Sequence, residues 1–520
     1  MLQKRVIALF LLVGLLTGVL TACGADTKPP EEPNNGEISS SGEPIYGGEL
    51  VVGISQDLGD SLDPYQMTAA GTREVLFNVY EGLVKPDKDG AFIPALASSL
   101  PEISDDGMRY TFALREDVKF HNGQIVTVED IIKSFETCAA TTVDTDLAAA
   151  LSAVESVTAA NRTEIELILR EPNVDLLSYI ASVFIVPADY AEQATAPVGT
   201  GPFMFTSRSI QSNVVLTKFA DYWGDPAYLD TVTLRIFEDS TPLMTTLNAG
   251  GLDMAIHLTS DQINTLDANT YNAVEGTMNL VQALYLNHAV APFDNEAVRK
   301  AMCHAVDVDA LLALPADGHG TKLGSSIYPA FAKYFDESLV DAYPYDPELA
   351  VTMLADAGYP DGFTMSISVP SNYAPHVNTA EVLAEQLTAV GITVEIKLVE
   401  WGTWISDVYR GRNFESTVIG FDAVSLTAGA LLNRFVSGDS TNFINHSNED
   451  YDRLMRQAEA TLDDGMRTDL YRQAAATLSE TAANVYLQDM ADFVALRQGL
   501  SGYVFYPLYV MDLSTIHYVG

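Results

Sequence analysis

The hydrophobic pattern around residue 390 predicts a helix that is followed at once by a strand. Residues from Glu381 to Val390 fit the helical period, and Gly391 ends the run. From Ile392 to Leu398 apolar residues alternate with polar ones, which is the period of a half-buried strand. A helix that leads directly into a strand indicates an α/β layer.

Three further helix starts can be predicted from capping residues. Asp346 precedes Pro347 and an apolar stretch, which is typical of an N-cap with proline in the first turn. Thr127 with Asp130 three residues later predicts a capping box. Asp294 is expected to cap a helix whose apolar residues lie on one face.

Several short apolar runs are typical of strands, and no repeat with a period of 20 to 50 residues accompanies them. The stretch from Tyr503 to Tyr518 also has a largely extended pattern. The mixture of helices and strands predicts an α/β protein with α+β parts. The predicted strands are Gly48 to Ile54, Arg109 to Leu114, Val214 to Lys218 and Thr231 to Phe237.

Composition narrows the possible partners. The chain of 520 residues has 70 acidic against 28 basic side chains, a net charge of -42 and a pI near 4.2. A protein that binds nucleic acid or an anionic lipid surface needs clustered Lys and Arg, so the composition argues against both partners. With 48% hydrophobic residues the chain can bury a large core, and its length corresponds to roughly two to four domains.

The first 45 residues are typical of an exported protein. Two basic residues precede an apolar run that is too short to span a membrane, which predicts a signal peptide over residues 1–22. The run ends in Leu-Thr-Ala-Cys, which resembles the lipobox of bacterial lipoproteins, so Cys23 is expected to be diacylated. Residues 23–45 are predicted to be a disordered tether. We therefore expect a protein anchored on the outer face of the bacterial cytoplasmic membrane.

The usual signatures of catalytic and cofactor sites are absent from the sequence. No HExxH, GxSxG or CxxC motif occurs, and no two of the eight histidines have i, i+4 spacing. The segment from Gly199 to Pro202 lacks the lysine of a phosphate-binding loop. Cys138 and Cys303 lie among apolar residues of predicted helices, which is typical of buried thiols. We expect neither an enzyme nor a cofactor.

A series of motifs resembles family 5 of the solute-binding proteins of ABC transporters, which includes binders of oligopeptides, dipeptides and nickel. The motifs follow the family's order from residue 46 to about residue 500. The most diagnostic stretch consists of Pro94-Ala95-Leu96-Ala97, Tyr110-Thr111-Phe112-Ala113-Leu114-Arg115, Val118-Lys119-Phe120-His121-Asn122-Gly123 and Thr127-Val128-Glu129-Asp130. Further matching motifs are Tyr80-Glu81-Gly82-Leu83, Gly199-Thr200-Gly201-Pro202-Phe203 and Asp221-Tyr222-Trp223-Gly224.

The resemblance implies a two-lobed, periplasmic-binding-protein-like fold with the ligand cleft between the lobes. Lobe one would comprise residues 46–280, with an extra subdomain, and residues 495–520 would return to it. Lobe two would comprise residues 281–494. A solute enclosed between the lobes would close them, and closure would signal to the permease of an ABC importer. A monomer is expected.

The resemblance also implies which residues contact the ligand. Trp401 and Phe421 match two aromatic residues that line the peptide pocket of oligopeptide binders. The aspartate that holds a peptide's ammonium group in those proteins is replaced here by Val424, and Asp422 is a nearby substitute. The arginine that binds the carboxylate of dipeptides has no counterpart in residues 370–377. The predicted ligand-binding residues are therefore Trp401, Phe421 and Asp422.

A short peptide is the expected solute, and three alternatives remain open at this point. The first is nickel or a nickel chelate, for which His376 and His446 are the candidate ligands, although solvated loop positions suit both histidines better. The second is a secreted hydrolase, which requires a triad or metal site that the sequence does not show. The third is a receptor or chaperone that has no role in transport.

Overall fold

The computed structural model describes residues 42–520, apart from residues 56, 68–69, 142–144, 174, 238, 314–317, 372 and 424. The predicted signal peptide, Cys23 and most of the predicted tether lie outside the described residues. None of the described helices is long and apolar enough to cross a membrane.

A seven-stranded mixed sheet is the core of the first lobe. Its central strand, Glu49–Ile54, pairs in parallel with Thr231–Ile236 and with Met254–Leu258. Apolar clusters cover both faces of the sheet, so its inner strands are buried. In spatial order the strands are Tyr271–Thr277, Ala491–Arg497, Met254–Leu258, Glu49–Ile54, Thr231–Ile236, Asn213–Lys218 and Phe203–Ser209.

A six-stranded mixed sheet forms the core of the second lobe. Its strand Leu280–Leu286 is buried at every position, and separate apolar clusters pack on its two faces. In spatial order the strands are Thr321–Lys322, Asn484–Asp489, Leu280–Leu286, Ser416–Asp422, Phe363–Pro370 and Ile392–Val399.

Three smaller sheets complete the described strands. A four-stranded antiparallel sheet has its own apolar cluster and consists of Glu102–Ile103, Arg109–Ala113, Glu164–Leu169 and Val154–Asn161. Strands Val84–Pro86 and Phe92–Pro94 form a two-stranded antiparallel sheet, which precedes the four-stranded sheet along the chain. The last two residues of the predicted tether, Pro44–Ile45, already form a strand in a three-stranded sheet with His517–Val519 and Leu500–Ser501.

Helices and turns pack around these sheets. The α-helices are Ala70–Leu76, Val128–Ala139, Thr145–Ser152, Leu176–Ile180, Ser240–Asn248, Ser260–Asn264, Glu296–Ala305, Val308–Ala313, Pro347–Asp356, Ala374–Ala389, Trp401–Thr403, Ala428–Leu432, Glu449–Glu459 and Asp464–Glu480. Residues Trp404–Arg410 form a π-helix. The 3-10 turns are Pro329–Phe331, Glu337–Leu339 and Asn433–Phe435.

The described chain passes between the two large sheets at two adjacent crossovers. Strand Tyr271–Thr277 of the first lobe leads into Leu280–Leu286 of the second, and Asn484–Asp489 leads back into Ala491–Arg497. The N–H of Met278 donates to the carbonyl oxygen of Met490 at 2.8 Å, which ties the crossovers together. Links this short act as a hinge between the lobes.

Most of the elements predicted from the pattern are confirmed. Thr127 accepts a hydrogen bond from the N–H of Asp130, and both halves of the capping box are present. Asp346 accepts from the N–H of Leu349 at 2.9 Å. The predicted half-buried strand occurs as Ile392–Val399, with alternating exposure over most of its length. Sequence patterns were sufficient to predict these elements, because helix caps and side-chain alternation depend only on residues that are close along the chain.

Two local predictions are wrong. The helix Glu296–Ala305 is capped by Asn295 rather than Asp294, because the Asn295 side chain accepts the N–H of Ala297 at 3.0 Å. Within the stretch predicted to be extended, only the end at His517–Val519 is a strand.

The C-terminal stretch is irregular because a side chain of the first lobe takes the place of a partner strand. The amide nitrogen of Asn78 donates to the carbonyl oxygen of Met511 at 2.7 Å, and its oxygen accepts from the N–H of Leu513 at 2.8 Å. The side chains of Met511 and Leu513 are fully buried. Asn78 therefore satisfies two backbone polar groups of the segment without a partner strand.

Three of the family-like motifs meet at the buried carboxylate of Glu81. It accepts hydrogen bonds from the hydroxyl of Tyr222 at 2.7 Å and the indole N–H of Trp223 at 2.6 Å. Lys85 pairs with it at 3.1 Å, and the hydroxyl of Thr200 donates at 3.4 Å. A buried charge needs such partners. The motif residues thus hold segments of the first lobe together.

The glycines of the Gly199-Thr200-Gly201 motif allow two segments of backbone to approach closely. A Cβ at Gly199 would overlap the carbonyl oxygen of Val79, and one at Gly201 would overlap that of Asn78. The N–H of Gly201 donates to the carbonyl oxygen of Val79 at 3.0 Å. The glycines of the motif therefore serve backbone packing, and the motif is not a phosphate-binding loop.

The two cysteines of the described chain are both buried in helices, as predicted. Cys138 lies in Val128–Ala139 and Cys303 in Glu296–Ala305. Burial raises the pKa of the Cys303 thiol to about 12, so it stays protonated at neutral pH.

We predict that Gly199→Ala destabilises the first lobe. The added methyl group meets a backbone carbonyl that cannot rotate away, and such overpacking costs about 1–3 kcal/mol. Chemical denaturation measures the loss. Gly465→Ala is the matched control, because the nearest atom is a flexible side-chain oxygen at 3.4 Å and the position is helical. Equal stability of the two variants would contradict the prediction.

Candidate functional site

A large cavity lies where the second lobe meets the first. Its empty volume is about 1320 Å³, which includes the opening to solvent. The second lobe contributes Asp422, Ala423, Ser425 and Leu426 to its wall, and the first lobe contributes residues that include Arg73. Ligand sites of two-lobed proteins occur preferentially at such junctions.

Asp422 is the one predicted site residue that lines this cavity. It ends the strand Ser416–Asp422 and lies opposite Leu280, directly after the first crossover. Its carboxylate is 3.7 Å from the guanidinium of Arg73, and both side chains are 32% exposed. The ion pair therefore joins the two lobes across the cavity while it stays accessible to a ligand.

Arg73 is held in place by a buried charge cluster beneath the cavity wall. The next residue, Glu74, accepts a hydrogen bond from one nitrogen of His257 at 2.9 Å, while the other nitrogen faces Asp492 at 3.0 Å. Burial opposes protonation, but the two carboxylates raise the pKa of His257 well above its ordinary value. The imidazolium therefore fixes the short helix that carries Arg73.

An aromatic contact connects this cluster to the cavity. The ring of Tyr509, which lines the cavity, stacks on His257 with centroids 4.9 Å apart and an interplanar angle of 11°. The sequence analysis missed Arg73, His257 and Tyr509. No local pattern could indicate them, because they come from three distant parts of the chain.

Trp401 lies on the second lobe as an exposed aromatic side chain. Glu400 caps its short helix by accepting the N–H groups of Gly402 and Thr403, and these hydrogen bonds lower the pKa of the Glu400 carboxyl. The indole is 36% exposed. One face stacks on Trp404 with centroids 5.4 Å apart and an interplanar angle of 4°.

The π-helix that begins at Trp404 places a further aromatic ring against Trp404. In the π-helix Trp404–Arg410 the wider turn brings residues five apart over one another. Trp404 and Tyr409 therefore stack, with centroids 6.0 Å apart. Trp404 is 1% exposed, and its indole N–H donates to the hydroxyl of Thr417 at 3.0 Å. Such wide turns frequently occur at functional sites.

Phe421 lies at the inner end of this series of rings. Its ring centroid is 5.9 Å from that of Tyr409. It also packs against Tyr285 and Phe443, at 5.2 Å and 5.3 Å, and the guanidinium carbon of Arg434 lies 4.1 Å from its ring centroid. We call Trp401, Trp404, Tyr409 and Phe421 the aromatic series.

The structure thus brings Trp401 and Phe421 into one aromatic series, whereas Asp422 faces the cavity. Neither aromatic residue is among those that line the cavity. Phe421 and Asp422 are consecutive in a strand, so their side chains point to opposite faces. Asp422 therefore does not share a strand face with Phe421.

The two histidines considered as nickel ligands are buried, so the description of them as solvated loop residues is wrong. His376 lies in the helix Ala374–Ala389 and contacts the amide of Gln282 at 2.8 Å, and burial lowers its pKa to about 4. His446 faces the carbonyl oxygen of Phe435 at 2.7 Å, and burial lowers its pKa. No group of three or more His, Cys, Asp or Glu side chains in the described part of the chain could hold a metal ion.

Comparison with known proteins identifies related sequences. A family model described as bacterial extracellular solute-binding proteins, family 5 Middle, matches residues 91–443. The glutathione-binding protein GsiB of Pectobacterium atrosepticum is 27% identical over 469 residues, which cover 86% of this chain and 90% of that protein. The heme-binding protein A of Haemophilus influenzae is 28% identical over 487 residues, 82% of this chain and 85% of that protein.

A solved structure supports the same relationship. The ABC transporter-associated periplasmic binding protein DppA from Helicobacter pylori, in complex with the peptide STSA, has a TM-score of 0.80 and 26% sequence identity. The similarity covers 92% of this chain and 99% of that chain. The expected two-lobed, periplasmic-binding-protein-like fold of mixed α/β class is confirmed. These relatives are binding proteins rather than enzymes.

We predict that Trp401→Ala weakens binding of the solute by about 2 kcal/mol, the typical cost of truncating an aromatic anchor. The solute is identified by mass spectrometry of what copurifies with the protein, and its binding is measured by calorimetry. Tyr46→Ala is the control, since Tyr46 is 60% exposed and packs on Tyr228 far along the chain from the site. Unchanged binding by Trp401→Ala would remove the aromatic series from the site.

Proposed function

The chain belongs to family 5 of the bacterial extracellular solute-binding proteins, the binding components of ABC importers, and from this membership we propose that it captures a short peptide between its lobes. The observation that carries the proposal is the cavity lined by both lobes beside two short crossovers. A ligand that contacts both walls stabilises the closed form, because it loses half of its contacts when the lobes separate.

Two of the relatives favour a peptide as the solute. GsiB is named for glutathione, a tripeptide, and DppA holds the four-residue peptide STSA. The cavity offers apolar surface together with the exposed charges of Arg73 and Asp422. A peptide carries an ammonium group, a carboxylate and apolar side chains, so it matches this combination. We assign Asp422 to ligand contact within the cavity. We assign Trp401 and Phe421, which do not line the cavity, to ligand contact from the family resemblance.

The other candidates lack a supporting observation. Nickel would require ligands, but His376 and His446 each have a hydrogen-bond partner within the protein. A hydrolase is contradicted by the relatives, which are binding proteins.

The proposal also includes the boundaries of the lobes and the attachment of the protein to the membrane. Lobe one comprises residues 46–278 and 490–520, and lobe two comprises residues 279–489. The return to lobe one begins earlier than the expected residue 495, because strand Ala491–Arg497 already pairs in the first-lobe sheet. Cys23 carries a diacyl anchor on the outer face of the cytoplasmic membrane, and residues 23–43 tether the monomeric body to it, since Pro44–Ile45 already form a strand. The support for the anchor is the sequence that precedes Cys23.

We predict that the bound solute compacts the protein and also stabilises it. Closure of the lobes lowers the radius of gyration measured by solution scattering. A ligand that binds only the folded state adds about 2.7 kcal/mol of stability at a hundredfold excess over Kd, so the melting temperature rises. A rise in melting temperature without compaction would place the ligand outside the cleft between the lobes.

We predict that Cys23→Ser releases the protein from membranes, because the acyl chains are its sole proposed anchor. The measurement is the distribution of the protein between pellet and supernatant after a salt wash. Cys303→Ser is the control, since that thiol is buried in the second lobe. A Cys23→Ser protein that still sediments with the membranes would contradict the anchor.

A further inference from the structure

Arg434 is a cation without a carboxylate partner among the described residues, and it lies directly on one of the predicted site residues. It lies in the 3-10 turn Asn433–Phe435, and its guanidinium carbon is 4.1 Å from the ring centroid of Phe421. This distance corresponds to a cation–π contact. The contact leaves the edges of the guanidinium, where its N–H groups point, to be satisfied by another group.

Two of the three guanidinium nitrogens of Arg434 have no hydrogen-bond partner within the described protein. Its Nε and Nη1 atoms are buried and have no hydrogen-bond partner, and no carboxylate of the described residues lies within 4.0 Å of it. Arg208 and Arg467 each have one unpartnered nitrogen, but they pair with Asp57 at 2.9 Å and Asp464 at 2.7 Å. Arg434 differs because its charge is unpaired as well.

Two phenol groups that face Arg434 are neutral. Its charge acts on the phenol groups of Tyr285 and Tyr451, and burial raises the pKa of both phenols. Each hydroxyl already donates to a main-chain oxygen, that of Tyr285 to Val281 at 3.0 Å and that of Tyr451 to Leu432 at 2.6 Å. Neither phenol supplies the negative charge that the guanidinium lacks.

We propose that Arg434 binds a carboxylate of the solute, and that the aromatic series accommodates the apolar part of the same molecule. Arg434 and the aromatic series do not line the cavity, so this contact lies on the other face of strand Ser416–Asp422 from Asp422. A guanidinium presents parallel N–H groups that match the two oxygens of a carboxylate. Phe421 holds the guanidinium plane from one side and so orients these donors. The inference rests on the proposed function and deepens it, because it specifies that the solute is an anion such as a peptide with a free C-terminus.

This anchor differs from the one that the family resemblance implies. The carboxylate-binding arginine of dipeptide binders would lie within residues 370–377, where this sequence has none. Arg434 comes from a different segment, after the helix Ala428–Leu432, and reaches Phe421 only through the fold.

The first test is a competition between acid and amide forms of the same peptides. The full-length protein is mixed with a tetrapeptide library that has free C-termini and an equimolar, isotopically labelled library that has amidated C-termini. Mass spectrometry then measures which form is captured. We expect the wild type to favour the acid by about tenfold or more, the scale of one charge-assisted hydrogen bond.

Variants of Arg434 assign that preference to the residue. In Arg434→Gln the acid and amide forms are captured equally, and Arg434→Lys regains part of the preference because it restores the charge without the planar fork. Arg453→Gln is the matched control. Arg453 is an exposed arginine of the same lobe, is paired with Asp450 at 2.9 Å, and its loss should leave the preference unchanged. A preference that survives in Arg434→Gln overturns the proposal.

A second probe separates failure of the anchor from failure of the peptide assignment. Sodium phenylacetate, an aromatic carboxylate, should raise the melting temperature of the wild type and of Arg453→Gln but not of Arg434→Gln, while phenylacetamide should affect none of them. If no peptide is captured but phenylacetate acts through Arg434, the anchor stands and the peptide assignment is wrong. If peptides are captured without an acid preference, or phenylacetate does not discriminate, the anchor is wrong.

Discussion

The hydrogen bond between Met278 and Met490 joins the two crossovers, and the arrangement of both lobes depends on this junction. Asp489 reinforces it, because its carboxyl accepts the N–H of Leu280 at 3.1 Å on the opposite crossover. Burial raises the pKa of Asp489 to about 8, so the carboxyl is largely protonated at neutral pH and avoids the cost of a buried charge. The two covalent links between the large sheets therefore lie side by side and are joined by hydrogen bonds.

One charged pair of the cavity, Asp422 with Arg73, lies close to this junction. Asp422 ends a strand beside the crossover and faces Arg73 of the first lobe at 3.7 Å. An accessible ion pair contributes only about 0–1 kcal/mol, so it can bias the lobes toward each other without locking them. A ligand with its own charges can replace this contact, which is what a reversible receptor requires.

The acidic composition of the chain opposes the binding of an anion. A net charge of -42 repels an anionic solute at long range, so affinity for a carboxylate has to come from a local, poorly solvated cation. The unpartnered guanidinium of Arg434 on the Phe421 ring meets that requirement. The aromatic series supplies the complementary apolar surface, and the π-helix supplies its spacing through the stacked pair Trp404 and Tyr409.

The sequence by itself determined the features that depend on neighbouring residues. The capping box at Thr127 and the alternating strand after Gly391 follow from local hydrogen bonds and side-chain periodicity, and ordered motifs were sufficient to indicate the family and the two-lobed fold. The sequence also favoured Trp401 and Phe421 as site residues, although it could not show that a π-helix joins them. Only the tertiary structure placed Arg73 opposite Asp422 and Arg434 on Phe421. The reason is physical: an ion pair or a cation–π contact depends on distances of a few ångströms in space, and the fold sets those distances between residues that are remote along the chain.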